Sequence, residues 1–193
     1  MVPGLMLPAL LLPCFAPVPV HQGYISSHFG WRVFPGDGER ELHVGVDIVA
    51  DKGTPVRSMT KGTVIFAGLD GEGGGKMVTV KSYHRGKVKL IRYMHLSKIG
   101  VKRGAKVRPR TLLGRVGSTG RSTGPHLHIE MAIVRDGLKP RYDDPLPYLC
   151  RYRTDLSGPH QKMTDKFTLR QDHPIHLSDL DLKLRRRGRS VVK

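Results

Sequence analysis

Pro125-His126-Leu127-His128-Ile129-Glu130 places two imidazoles and a carboxylate at alternate residues. On a β-strand this period puts His126, His128 and Glu130 on one face and Leu127 and Ile129 on the other. The two histidine Cα atoms then stand roughly 6.6 Å apart, so one ring can bind a metal ion while the other sits beside its open coordination position. Glu130 fits either a hydrogen-bond partner of a ligating histidine or an exposed strand residue. His43-Val44-Gly45-Val46-Asp47-Ile48 offers a second pair, with His43 and Asp47 on one face and Val44, Val46 and Ile48 opposite. In a straight strand the Cα atoms of His43 and Asp47 would lie roughly 13 Å apart, whereas metal–ligand bonds are about 2.0–2.2 Å long. A backbone bend at Gly45 would close that span, and His128 is the natural third ligand. Two imidazoles and one carboxylate suit Zn2+ with a fourth position left for water, and they suit non-haem iron equally. Tyr93-Met94-His95 brings one more imidazole. On a strand Tyr93 shares the side of His95, where it either lines a groove or packs in the core.

The elements that must position these groups read as β. Thr63–Ala67, Met77–Val80 and Lys87–Tyr93 are short runs rich in β-branched residues and bounded by glycine, and Tyr83–Lys87 reads as a hairpin turn. No stretch of the body carries a helical stripe. An internal repeat is visible: Gly53-Thr54-Pro55-Val56-Arg57 with Gly62-Thr63-Val64, then Gly104-Ala105-Lys106-Val107-Arg108 with Gly114-Arg115-Val116. Each half reads as turn, strand, turn, strand, and two halves packed face to face would make a small barrel-like sandwich. The expected fold class is all-β.

Three regions follow along the chain: an apolar leader over 1–21, a Gly/Val-rich body over 22–149, and a basic, flexible tail over 150–193. The leader reads as an export signal or as an unprocessed segment. Its prolines at 3, 8, 13, 17 and 19 argue against a spanning helix. Two cysteines, Cys14 and Cys150, are too few for a disulfide scaffold; one bridge between them is the alternative to two free thiols. The formal net charge is +17, and the excess is spread over the chain, with 22 Lys/Arg against 11 Asp/Glu in 1–150 and 11 against 5 in 151–193. A field of that sign favours polyanions such as nucleic acid, an anionic lipid surface or an anionic wall polymer.

Four segments, taken together and in order, resemble the lysostaphin-type or LytM-type zinc endopeptidases. They are Ser26-Ser27-His28-Phe29-Gly30-Trp31-Arg32; His43–Ile48 with Gly53-Thr54-Pro55-Val56; Tyr93-Met94-His95-Leu96; and Gly117–Glu130. Asp144–Leu149 resembles the close of that domain, so the likeness covers roughly 22–149. It implies the fold of that family, an antiparallel β-sheet sandwich or barrel of the duplicated hybrid motif type, whose groove holds the site. It implies one Zn2+ per chain held by His43, Asp47 and His128, with His95 and His126 as catalytic histidines that face the water the metal activates. It implies peptidoglycan peptides as substrate, a monomer, and a place outside the cytoplasm, in the envelope or secreted. Two departures stand out: Ile91 replaces a usual threonine, and Gly73-Gly74-Gly75-Lys76 replaces a glycine-rich turn that often ends in asparagine. Both would reshape the groove wall, and neither removes a ligand.

The small side chains of Gly117–Gly124 suit close approach of a thin peptide. Arg121 in that loop either meets a substrate carboxylate or is simply solvated. Two other functions compete with hydrolysis. A non-catalytic envelope module would bind wall and activate another hydrolase, with its groove blocked or its metal absent. A nucleic-acid-binding protein would use the charge, but the basic stretches lack interleaved aromatics and a recognisable motif, so no specific nucleic-acid partner is expected.

Overall fold

The computed structural model describes residues 18–149 apart from 85, 136 and 137; Cys14, Cys150 and the basic tail lie outside the described residues. Thirteen strands follow one another: β1 (Tyr24–Ser27), β2 (Gly30–Val33), β3 (Arg40–His43), β4 (Gly45–Val49), β5 (Pro55–Arg57), β6 (Gly62–Asp70), β7 (Gly75–His84), β8 (Lys87–Leu96), β9 (Lys98–Ile99), β10 (Lys106–Val107), β11 (Leu112–Arg115), β12 (His126–Arg135) and β13 (Leu138–Asp143). One 3-10 turn, Leu146–Tyr148, follows them. No α-helix occurs among the described residues, and no helix there is long and apolar enough to cross a membrane. The expectation of an antiparallel all-β fold holds.

The main sheet runs β1-β4-β12-β8-β7-β6-β10, and β13 pairs with the far half of β12. A second sheet, β5-β11-β9, and a two-stranded ribbon, β2-β3, complete the molecule. The core lies on one side of the main sheet, where Val46, Ile48, Val78, Val80, Ile91, Leu127 and Ile129 are fully buried. Alternation along β4 and β12 therefore sends Asp47, His126, His128 and Glu130 to the opposite face.

The internal repeat appears in the hydrogen bonds, by strand exchange rather than by face-to-face packing. The first strand of one half pairs with the second strand of the other: β5 with β11, and β10 with β6. The turns match in the same way. Gly53 N–H donates to Val116 O and Val116 N–H to Thr54 O, while Gly104 N–H donates to Val64 O and Val64 N–H to Ala105 O. Gly53 and Gly104 both take a left-handed backbone, with φ of 96° and 89°. Val56, Val64, Val107 and Val116 bury their side chains where the halves meet.

The folded unit reaches into the segment read as leader. Val18 and Val20 are core residues, and Pro19 O accepts the Arg57 amide. Apolar character there serves packing, so removal of 1–21 would strip two side chains from the core.

Nothing stands within 4 Å of a Cβ built on Gly104. Gly104→Ala therefore tests backbone strain alone, and chemical denaturation is expected to show a loss of about 1–2 kcal/mol.

Candidate metal centre

Strand register builds the site. Ser27 of β1, Asp47 of β4, His128 of β12 and Met94 of β8 are successive Cα partners and form one row across four strands. Directly opposite residues on one face of a sheet stand about 5 Å apart at Cβ, and His128 Nδ1 lies 2.6 Å from Asp47 Oδ1. His43 enters from the ribbon. The chain leaves β3 at His43 and joins the main sheet at Gly45, so the change of sheet at Val44 brings the two side chains together. His43 Nε2 lies 3.2 Å from Asp47 Oδ1 and 3.0 Å from His128 Nδ1.

Gly45 is not the hinge expected from sequence, and Val44 does not face the core. Gly45 has no positive φ. A Cβ on it would stand 2.3 Å from Ile129 O and 2.7 Å from the His128 ring. Glycine is there because the imidazole lies against the backbone. Val44 is buried and lines the groove instead.

Hydrogen bonds set the tautomers. His43 Nδ1 lies 2.7 Å from His28 O and so carries the proton that this carbonyl accepts. His128 Nε2 lies 3.3 Å from Glu130 Oε1 and donates to it. Both rings thus turn an unprotonated nitrogen toward Asp47 Oδ1. Three lone pairs aimed at one point call for a cation among them, and the donor set of two nitrogens and one oxygen fits a divalent metal.

The electrostatics of the cluster agree. Burial works to raise the Asp47 pKa, but His128 and His43 outweigh it and hold the carboxyl far below its usual range. Burial works to lower the His128 pKa, yet Asp47 and Glu130 raise it to about 9, so the surroundings favour positive charge at the centre of the cluster. Burial also opposes ionisation of Glu130, but His128 and Arg92 bring its pKa down to about 2. The Arg92 guanidinium donates to Glu130 Oε2 at 2.8 Å. Glu130 is therefore a buried partner of His128 and not an exposed strand residue.

His95 and His126 stand beside this cluster, their ring centroids 4.7 Å apart. His95 Nδ1 donates to Thr119 O and His126 Nδ1 donates to Gly124 O, each at 2.8 Å. Both rings present Nε2, and His126 Nε2 is 3.7 Å from Asp47 Oδ1. Burial, followed by the charges of His126 and His128, lowers the His95 pKa to about 4.

Tyr93 does not line the groove. It is fully buried, and its hydroxyl accepts the Met59 amide; burial pushes its pKa up to about 12. The reason is a bulge. Between the pairs Val78↔Tyr93 and Lys76↔Leu96, three steps of β8 face two of β7. The extra residue lets Met94 and His95 both point to the site while Tyr93 and Leu96 face the core. His95 adopts φ of 61°, a left-handed conformation rare for histidine, and Gly74 O holds its amide.

Arg121 is neither free for substrate nor merely solvated. Its guanidinium bonds Glu41 Oε2 at 2.7 Å and Asp37 Oδ2 at 2.9 Å, and its centre lies 3.7 Å from the Phe34 ring centroid. Glu41 also accepts from Arg32, its cross-strand partner, and Arg32 Nη1 donates to Asp47 Oδ2 at 2.6 Å. A chain of alternating charge thus runs from the loop tip to Asp47. Arg32 and Glu41 join the site through a pairing across two short strands, which sequence period alone does not show. The loop 117–124 uses two of its backbone amides to hold itself in place: Arg121 N–H donates to Gly73 O and Thr119 N–H to His95 O.

The sequence profile of Peptidase family M23 matches residues 41–140, just over half of the chain. The DD-carboxypeptidase/endopeptidase Mpg of Neisseria meningitidis is 43% identical over 116 residues, covering 60% of this chain and 26% of that protein. A glycyl-glycine endopeptidase of Staphylococcus capitis is 36% identical over 124 residues, covering 63% of this chain and 33% of its own. The chain thus spans about a quarter to a third of the length of these relatives. Among solved structures, the catalytic domain of the antimicrobial peptidase lysostaphin from Staphylococcus simulans superposes with a TM-score of 0.57 at 32% identity. It covers 65% of this chain and 91% of that domain.

Arg32→Ala would strip Asp47 Oδ2 and Glu41 of their shared cation. Competition with a chelator is expected to show metal affinity about 10–100-fold weaker, with the β-rich circular dichroism spectrum retained.

Proposed function

The chain belongs to peptidase family M23, and from that premise we propose that it is a zinc-dependent endopeptidase that hydrolyses peptide cross-links of bacterial peptidoglycan. The observation that carries this reading is the convergence of the lone pairs of His43, Asp47 and His128 beneath two further imidazoles at the floor of an open groove.

M23 peptidases depend on a metal, and here His43, Asp47 and His128 would hold one zinc ion. Bound there, it supplies Lewis acidity that polarises a peptide carbonyl and lowers the pKa of water toward about 7. The chain's own groups do the rest. Of the two Nε2 atoms presented to the groove, one accepts the proton of the attacking water and the other faces the oxygen on which negative charge develops. Burial lowers the pKa of His95 to about 4 and keeps its ring uncharged at neutral pH. The carbonyls of Thr119 and Gly124 fix both rings by their Nδ1 protons.

The substrate assignment rests on the groove wall and on the relatives. Gly73 and Gly74, which carry no side chain, and the small Ser122 and Thr123 line the groove. A strand of glycine or D-alanine residues fits such walls, and two relatives are named for DD- and glycyl-glycine bonds. Action on wall places the protein outside the cytoplasm, in the envelope or secreted.

Metal analysis of the purified chain is expected to find one zinc per molecule, falling to background in His43→Ala and Asp47→Ala. With purified sacculi, His126→Ala is expected to clear turbidity about 10²–10⁴-fold more slowly than the parent. Clearing at the parental rate would sink the mechanism.

A further inference from the structure

The two halves of the duplicated motif, 52–69 and 98–116, carry ten Lys and Arg and no Asp or Glu. From 73 to 129 the chain holds 14 cations and no acid. The ten acids of the described body stand elsewhere along the chain: Asp37, Glu41, Asp47 and Glu130 belong to the metal centre and its ion pairs, Asp70 and Glu72 lie on the rim of its groove, and Glu39, Asp51, Asp143 and Asp144 lie outside both. Charge is thus segregated, and one sheet, β5-β11-β9, carries unopposed cations.

That sheet has a second groove. Lys98, Lys102 and Arg115 stand around it, and Ile99, Val101 and Leu112 provide apolar surface within it. The three cations are exposed, and none forms an ion pair among the described residues. Lys98 and Arg115 are Cα partners across β9 and β11, so their side chains leave one face about 5 Å apart. Arg57, the partner of Leu112, extends the basic edge by donating to Arg110 O.

We propose that this groove is a docking surface for an anionic wall polymer, specifically a phosphodiester-linked alditol chain, held beside the catalytic groove. The inference rests on the wall-hydrolase reading for its choice of polyanion, and on this face for its place. Cations spaced along a rim match repeating phosphates, and an aliphatic strip matches the carbon chain between them. A single-stranded nucleic acid would need aromatic rings for its bases to stack on, and the groove lining holds none. The two grooves are close along the chain. Lys98 lies three residues after His95. Arg115 lies four before Thr119, whose carbonyl holds His95. The carbonyls of Arg115 and Val116 also bind Ser97. A polymer seated on Lys98 and Arg115 would keep the wall next to the site without entering it.

Binding of the full chain to immobilised poly(glycerol phosphate) tests this, with His126→Ala as the background so that hydrolysis plays no part. Lys98→Glu/Lys102→Glu is expected to lose at least about tenfold in affinity near 50 mM salt, with the log–log salt slope flattened by about 1.4, the value for two lost phosphate contacts. Lys61→Glu/Lys87→Glu carries the same change in net charge at exposed positions outside the groove and is expected to stay within about twofold. Equal losses in both variants would mean a diffuse field and overturn the proposal, as would no loss in the groove variant. Tighter binding to single-stranded DNA than to poly(glycerol phosphate) at equal salt would also overturn it. Hydrolysis of a soluble peptide is a separate readout. With His126 intact, the groove variant is expected to match the parent, and a parent without hydrolysis would count against the peptidase reading alone.

Discussion

Three lone pairs pointed at one place repel one another unless a positive charge stands between them. That constraint governs the architecture around His43, Asp47 and His128. The sheet supplies the force that holds the donors together against their repulsion. Asp47 and His128 are locked opposite each other by the ladder between β4 and β12, and slipping that ladder by one residue would send one of them into the core. Fully buried Val46, Ile48, Leu127 and Ile129 on the reverse face make such a slip expensive. The tautomers are fixed as firmly as the positions, by a backbone carbonyl for His43 and a buried carboxylate for His128. Metal affinity in such a site is prepared by folding energy, since the donors are already gathered before any ion arrives.

Around the donors lies a second ring of constraints made of charge. Asp47 has two oxygens: Oδ1 faces the imidazoles and Oδ2 is taken by Arg32. This division leaves a single oxygen for an ion. Arg32 is held in turn by Glu41, Glu41 by Arg121, and Arg121 by Asp37 and the face of Phe34. The loop carrying Arg121 is the one whose Thr119 and Gly124 carbonyls orient His95 and His126. Groove wall, ligand and the non-ligand histidines are therefore mechanically one unit.

Periodicity made much of this legible in the sequence. The alternation of His126, His128 and Glu130 with Leu127 and Ile129 gave their shared face, and the Gly/Val repeats gave a β fold with two related halves. What period alone could not show were the departures from regular strand. The bulge in β8 moves His95 to the face opposite Tyr93, and nothing in Tyr93-Met94-His95-Leu96 announces an extra residue, because a bulge depends on the register of the partner strand. The change of sheet at Val44 is invisible for the same kind of reason, since the ribbon β2-β3 forms by pairing across a loop. Gly45 was rightly singled out for a wrong cause: its missing side chain makes room for a ring that arrives from 83 residues away. Arg32 and Glu41 escaped notice because a cross-strand ion pair has no signature until the register is known.

The repeat explains how one small body can hold both a tightly specified centre and a weakly specified surface. Strand exchange between the halves satisfies the backbone of β5, β6, β10 and β11 through matched glycine turns and valines, so their outward side chains are not needed for folding. The main sheet has no such freedom on its site face, where Asp47 and Glu130 are each consumed by a histidine and an arginine. Acids consequently gather where cations must be fixed in place, and the exchanged strands can accumulate Lys and Arg at little cost to stability. Charge segregation of this kind orients a molecule in an external field. On a negatively charged surface the β5-β11-β9 face is drawn inward, and the groove of His95 and His126 follows, because Ser97 and Thr119 tie the two together within a few residues of chain.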